Sequence, residues 1–358
     1  MTGHHSLDPH NFGNFYSGNN LNRKSVVRTD KAELAKLKAN ERTRYLAHQK
    51  LHVLYVDPAA ETAELAYLSY QDILAAIGED GTVSDDSWTS MQPVLMGVDE
   101  SDENRVYWAI DVTSNDKMLQ YIETKGLGKF SDARPTSFKL GPLQASYVAQ
   151  ARALLDWNLR HPFCPMCGSK TTSEEAGYKR KCPNASCLSN GRGVQNFQYP
   201  RTDPVIIVCI VSSDGKRCVL GRQKVWPAKM YSCIAGFLEA GESLEEGVRR
   251  EAWEETNVKV GKVIYHSSQP WPFPNSLMIG CVAMALTDSI HLEDKELDDA
   301  QWFTREEVLE SLNASQTIDV RTEGAPESEK PAPKFWMPPG YAIANQIVAA
   351  WARQEITL

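Results

Sequence analysis

The chain has no run of about 18 consecutive apolar residues, the length a membrane-spanning helix needs, so no such helix is expected. Residues 1–25 also lack a hydrophobic centre: they are polar and rich in His, Asn and Gly, which argues against a secretory signal peptide. Positive charge is in short supply, with 38 Lys and Arg against 46 Asp and Glu and a net charge of -8. Without clustered basic residues to neutralise phosphates, a dedicated nucleic-acid binder is not expected, although small anionic ligands stay compatible. No internal repeat is evident. Ile356-Thr357-Leu358 lacks the basic middle residue of the Ser-Lys-Leu peroxisomal address, which leaves peroxisomal import unsupported and a cytoplasmic location as the expectation.

What is present is ordinary globular material: 358 residues, 42% hydrophobic and 23% charged, enough for two compact domains and a small module. Residues 1–45 read as a polar, peripheral arm ending in a charged helical stretch at 31–44. Residues 46–143 read as a small mixed domain with strands at 51–56 and 106–112, a helix at 63–77 and a loop-like connection at 128–142. Residues 144–200 carry an amphipathic helix at 144–159 and then a cysteine cluster. Residues 201–358 combine a buried hairpin (205–211 and 218–220) with helices at 243–256, 304–312 and 341–353 and a strand at 277–286. Residues 314–333, rich in Ser, Glu, Pro and Thr, read as a mobile insertion.

Of the 8 cysteines, four form two short-spaced pairs, Cys164-Pro165-Met166-Cys167 and Cys182-Pro183-Asn184-Ala185-Ser186-Cys187. This spacing suits four thiolates around one tetrahedral Zn²⁺ better than disulfides, and with every ligand used the site is closed and structural. Gly168 and Gly177 permit the turns. The adjoining Lys179-Arg180-Lys181 is compatible with nucleic-acid contact or, more commonly, with a solvated face. Cys209, Cys218, Cys233 and Cys281 lie in or beside apolar runs and read as small buried hydrophobes in a reducing compartment.

The chemistry concentrates in Gly236-Phe237-Leu238-Glu239-Ala240-Gly241-Glu242 and the helix after it. Ser243 and Glu246 form a capping box. Glu251, Glu254 and Glu255 at i, i+3 and i+4 then stack on one helix face, about 5–6 Å apart, where they repel one another. An exposed acidic face accommodates that, and so does a hard divalent cation, Mg²⁺ or Mn²⁺. Further on, Ser268-Gln269-Pro270-Trp271-Pro272-Phe273-Pro274-Asn275-Ser276 alternates prolines with aromatics. Such a loop is stiff, and either presents Trp271 and Phe273 or packs them inward.

In register, Gly236, Glu242, Arg250, Glu251, Glu254, Glu255 and Val258 resemble the Nudix box. Ala252 is a minimal aliphatic residue there, and Asn257 replaces the usual Gly at a helix C′ position that wants a left-handed backbone. The segment 268–276 is similar to the array marking NADH pyrophosphatases within that family. His161-Pro162-Phe163-Cys164, Tyr199-Pro200-Arg201 and Pro338-Pro339-Gly340 with Ala342-Ile343-Ala344 agree with it.

The resemblance spans residues 144–353 and implies an α/β chain: an α+β Nudix fold with a mixed sheet between helices, a small zinc ribbon and an N-terminal degenerate Nudix-like domain. It implies metal-dependent hydrolysis of the pyrophosphate of NADH, also NAD⁺, to nicotinamide mononucleotide and AMP. The alternative is removal of the NAD cap from RNA 5′ ends, and a noncatalytic zinc-ribbon adaptor is the third reading. By the same resemblance Glu251, Glu254, Glu255, Glu296 (or Glu293) and the Ala235 carbonyl bind Mg²⁺ or Mn²⁺, while Glu242 and Arg250 support the loop. Phe237 stacks on a base or nicotinamide ring, and Tyr199 and Ala344 contact substrate. For Phe237 and Tyr199, core packing is the competing role. A homodimer is implied as well.

Overall fold

The computed structural model describes residues 13–188, 197–293, 296–315 and 333–356. Contacts divide the chain into one unit of Tyr16–Thr202 with Trp271–Asn275, and another of Met1–Phe15, Asp203–Pro270 and Ser276–Leu358.

The first unit contains helices α1 (Lys31–Ala39), α2 (Tyr70–Ile77), α3 (Asp85–Ser90), α4 (Asp116–Lys125), α5 (Ala133–Ser137) and α6 (Pro142–Arg160). Its strands β1 (Arg44–Gln49), β2 (His52–Tyr55), β3 (Val94–Asp99), β4 (Arg105–Asp111) and β5 (Lys129–Ser131) form a sheet in the order β3-β4-β1-β2-β5. The central β1–β4 pair is parallel and the remaining pairs are antiparallel. Tyr45, Leu54, Ile73, Trp88, Leu95, Trp108, Ile110 and Met118 fill the core beneath it.

Several expectations need correcting here. The helix expected at 63–77 starts only at Tyr70, because residues before it are extended and make bridges Tyr55↔Leu65 and Tyr45↔Leu68; the Ser69–Asp72 capping box then begins the helix. The charged helix at 31–44 stops at Ala39, since Arg44 already opens β1. The connection at 128–142 contains β5 and α5. The arm is peripheral at α1, which buries no residue, but not ahead of it: Tyr16 is 1% exposed and Leu21 6%, and Asn22 bridges Val98 with bonds of 2.9 Å in both directions. Hydrogen bonding secures it where apolar periodicity is missing: Asn19 donates to Gln150, Asn20 to Asp99 and Asn22 to Glu100.

After α6, β6 (Thr172–Glu174), β7 (Lys179–Lys181) and β8 (Phe197–Gln198) form a three-stranded antiparallel sheet. Gly177 before β7 has φ 93°, and a Cβ there would lie 2.6 Å from Val94.

In the second unit, β9 (Asp203–Val211), β10 (Arg217–Arg222), β11 (Ile234–Phe237), β12 (Val260–Trp271), β13 (Ser276–Ala285) and β14 (Asp299–Thr304) form a mixed sheet. The order is β12-β13-β9-β10-β14, with β11 also paired to β9; β13 runs parallel to β9, while β10 and β11 run antiparallel to it. Strand β9 is buried on both faces from Val205 to Val211. Ile206, Val208 and Ile210 meet Val248 and Ala252 of α7 (Leu244–Thr256), whereas Ile207, Cys209 and Val211 belong with Val308 and Leu312 of α8 (Arg305–Ser315) and Ile347 and Val348 of α9 (Ile343–Ala352). The expected sheet between helices is therefore present. Most of residues 314–333, read as an insertion, lie outside the described residues. Among the described residues no helix is long and apolar enough to cross a membrane.

Candidate active site and zinc cluster

The short strand β11 leads through a loop into α7, and the loop's last turn needs Gly241 at φ 94°. Ser243 caps α7: Glu246 N–H donates to its Oγ (3.3 Å), and Ser243 N–H donates to Glu246 Oε2 (2.7 Å). At the far end Asn257 takes φ 61° and its N–H donates to the Trp253 carbonyl (2.7 Å), which is how Asn replaces Gly there. Ala252 is fully buried beneath the helix.

Arg250 is the hub. Its Nε and Nη2 donate to the two oxygens of Glu242 (2.6 and 2.9 Å), Nη1 donates to Glu251 (2.8 Å) and Glu254 (3.0 Å), and Nη2 also reaches the Phe237 carbonyl (2.8 Å). The guanidinium, with help from the Glu239 amide, holds the Glu242 carboxyl down to about 2. Glu251 moves the opposite way: burial raises its pKa, Arg250 opposes the rise, and Glu254 and Glu296 add to it. Gly236 is dictated by this carboxylate, because a Cβ would lie 2.0 Å from Glu251 Cδ.

Glu251 and Glu255 are buried, whereas Glu254 and Glu296 are exposed. Glu296 stands close enough to Glu251 to act on it electrostatically. No three carboxylates among the described residues come within 4.8 Å of one another, a distance that only the four cysteines meet. The oxygen-only donor set, with one carboxyl raised by burial and by its anionic neighbours, fits a hard divalent cation.

Ala235 and Phe237 pair with Ile207 and Val205 of β9. The Phe237 ring is 60% exposed and Tyr199, in the first unit, is 45% exposed, so neither is core packing. Lys179 Nζ lies 5.9 Å from the Tyr199 ring centre. Ala344 is buried at the start of α9, and its carbonyl takes the Cys233 thiol at 3.8 Å. Glu293 is exposed.

Cys164, Cys167, Cys182 and Cys187 have sulfurs within 4.8 Å of one another, fitting one Zn²⁺, whose tetrahedral thiolates lie about 3.8 Å apart. The knuckle is built by Gly168 N–H donating to the Cys164 carbonyl (2.9 Å), with Gly168 at φ 70°. In the basic hairpin, Lys179 pairs with Glu175 (3.0 Å). Arg180 is turned inward, 6% exposed, and donates to Thr171 Oγ1 (2.7 Å) and Asn158 Oδ1 (3.1 Å). That overturns both a solvated face and a nucleic-acid surface made of all three residues. Cys209, Cys218, Cys233 and Cys281 are buried free thiols, as read from the sequence.

The loop array resolves toward inward packing. Strand β12 runs on to Trp271, and the Trp271 and Phe273 rings meet edge-on at 5.4 Å. Tyr16 stands edge-on to both, at 5.8 and 5.9 Å. Arg152 of α6 donates to the carbonyls of Pro272 and Pro274. Neither Tyr16 nor Arg152 was singled out from the sequence, and no local signal marks them, since their partners lie more than a hundred residues away.

A loop tied by one arginine to a helix of spaced glutamates, on a mixed sheet between helices, defines a Nudix hydrolase, and a NUDIX domain matches residues 200–321. The NADH pyrophosphatase zinc ribbon domain matches 159–187, and the NADH pyrophosphatase-like rudimentary NUDIX domain matches 27–157. The chain belongs to the NADH pyrophosphatase family of Nudix hydrolases. Its relatives include the NAD-capped RNA hydrolase NUDT12 of Macaca fascicularis, 37% identical over 95% of this chain and 73% of that protein. The NAD-capped RNA hydrolase of Schizosaccharomyces pombe is 36% identical over 96% of this chain and 94% of that protein. The mitochondrial NAD(P)H pyrophosphatase NUDT13 of Homo sapiens is 34% identical over 80% of this chain and 77% of that protein.

Proposed function

We propose that this chain hydrolyses the pyrophosphate of NADH, and of NAD⁺, releasing nicotinamide mononucleotide in the matching redox state and AMP. The observation that carries the reading is the hub at Arg250, which fixes the Glu251 and Glu254 carboxylates and the Phe237 backbone in one network. Glu251, Glu254, Glu255, Glu296 and the Ala235 carbonyl would hold Mg²⁺ or Mn²⁺. When bound, such ions offset pyrophosphate charge and lower the pKa of a bound water. Phe237, exposed at the strand end, offers a flat face to a nucleobase or nicotinamide ring. Tyr199 and Ala344 are the further substrate contacts in this reading. Glu242 and Arg250 keep the loop in place, and the cysteine cluster supports the ribbon with Zn²⁺.

A second reading, cleavage of the NAD cap of RNA, is favoured by the names of the 36% and 37% identical relatives. The scissile bond is the same, and only the adenosine 3′ side must stay open. A side-by-side turnover assay with Mg²⁺ or Mn²⁺ on NADH, NAD⁺, ADP-ribose and NAD-capped RNA separates the two. Preference for free NADH with release of AMP supports the first, faster turnover of capped RNA supports the second, and no turnover of any of them removes both.

A further inference from the structure

Within the first unit, the aromatic loop Trp271–Asn275 is held by four residues, none of which the Nudix box requires. Tyr16 stacks edge-on against Trp271 (5.8 Å) and Phe273 (5.9 Å), while its hydroxyl is fixed by Ser137 Oγ at 2.7 Å. Phe138 lies 6.2 Å from Trp271, closing the aromatic cluster. Arg152 Nη1 donates to the Pro272 and Pro274 carbonyls, and its guanidinium lies over the Phe273 ring at 5.3 Å. Asn275 Nδ2 donates to the Arg201 carbonyl.

The loop continues into β13, where Ser276 pairs with Asp203 and Met278 with Val205; Val205 is also the partner of Phe237. Two residues of strand, Ser276 and Leu277, therefore separate the loop's end from the row that carries Phe237, a span of roughly 10 Å. A loop held by stacked rings and an arginine fork fixes where β13 begins. Released, it frees the first residues of β13 and, through β9, the Phe237 row.

We infer that Tyr16 and Arg152 are positioning residues for substrate binding: they clamp the Pro-aromatic loop and thereby hold the strand rows that present Phe237. The inference rests on Phe237 being a substrate platform, as in the proposed function. It gives the N-terminal arm a task beyond stability and predicts an effect on KM more than on kcat, because the loop joins β13 and not α7, whose carboxylates stay on Arg250 together with the Phe237 carbonyl.

The test compares full-length wild type with Tyr16→Ala, Tyr16→Phe and Arg152→Met, by steady-state kinetics on NADH and by hydrogen–deuterium exchange over residues 268–280. Y16A and R152M are expected to raise KM about tenfold, the loss that follows deletion of one well-packed aromatic or charged contact, with kcat within about twofold. Exchange should quicken in 268–280 and stay unchanged in α7. Y16F keeps the rings in contact and should restore both readouts. Unchanged exchange at 268–280 in both variants overturns the clamp, as does a fall of kcat and thermal stability together with KM unmoved. If wild type turns over no dinucleotide, the functional reading fails by itself, and exchange alone still decides whether Tyr16 and Arg152 hold the loop.

Discussion

Gly236 and Glu251 show how one residue's chemistry fixes another's identity. A methyl at position 236 would overlap the Glu251 carboxylate, 2.0 Å from its carbon. Gly236→Ala should therefore displace that carboxylate and abolish turnover while far-UV circular dichroism stays native; an active G236A enzyme would show that Glu251 need not sit there. Glu254→Gln and Glu255→Gln each remove one anionic oxygen and are expected to lower kcat on the order of 10²–10³-fold, with little change in melting temperature. His48 offers a contrast in the first unit. Completely enclosed, its imidazole is pushed down by desolvation to about 4 from the ordinary 6.5. The unfolded chain binds that proton and the folded chain does not. Stability is thus full above pH 6.5 and falls as pH drops from 6.5 toward 4, by about 3 kcal/mol from this group. Melting curves of His48→Gln between pH 4 and 7 should slope less than wild type, and parallel slopes would exclude this assignment.

Elements were legible where the pattern was local. The capping box at Ser243, the carboxylates at i, i+3 and i+4, and the left-handed Asn257 are all statements about neighbours in sequence, and α7 follows them closely. The β9 run could be read because both its faces are buried. Strands β11 and β3 escaped notice: β11 is four residues long and contains a glycine that exists for the sake of Glu251, while β3 owes its place to pairing with β4 across a bulge at Leu95 and Gly97. The region 63–69 carries apolar residues at helical spacing, yet backbone bridges to β1 and β2 override it. At this scale Ser243→Ala removes one half of the capping box and should cost about 1 kcal/mol, seen as a lower melting temperature with α7 otherwise intact.

At the scale of the whole molecule, the cysteine cluster was fully legible from spacing, whereas the arm was not. Its attachment depends on Asn14, Asn19, Asn20 and Asn22, polar side chains whose partners lie far along the chain and leave no periodic trace. Removing zinc with a chelator should release one equivalent of metal and loosen β6–β8 in hydrogen exchange, since a closed thiolate site contributes its binding energy to folding; retained protection would mean the ribbon stands without metal. The arm's bonds also set an order of events during synthesis. Asn14 donates to Ser267 Oγ and to the Ser268 carbonyl, partners 253 and 254 residues later. At a translation rate of about 5–20 residues per second, Asn14 waits roughly 10–50 s after leaving the ribosome before those partners exist. A residue made among the first of those described thus gains these two bonds among the last.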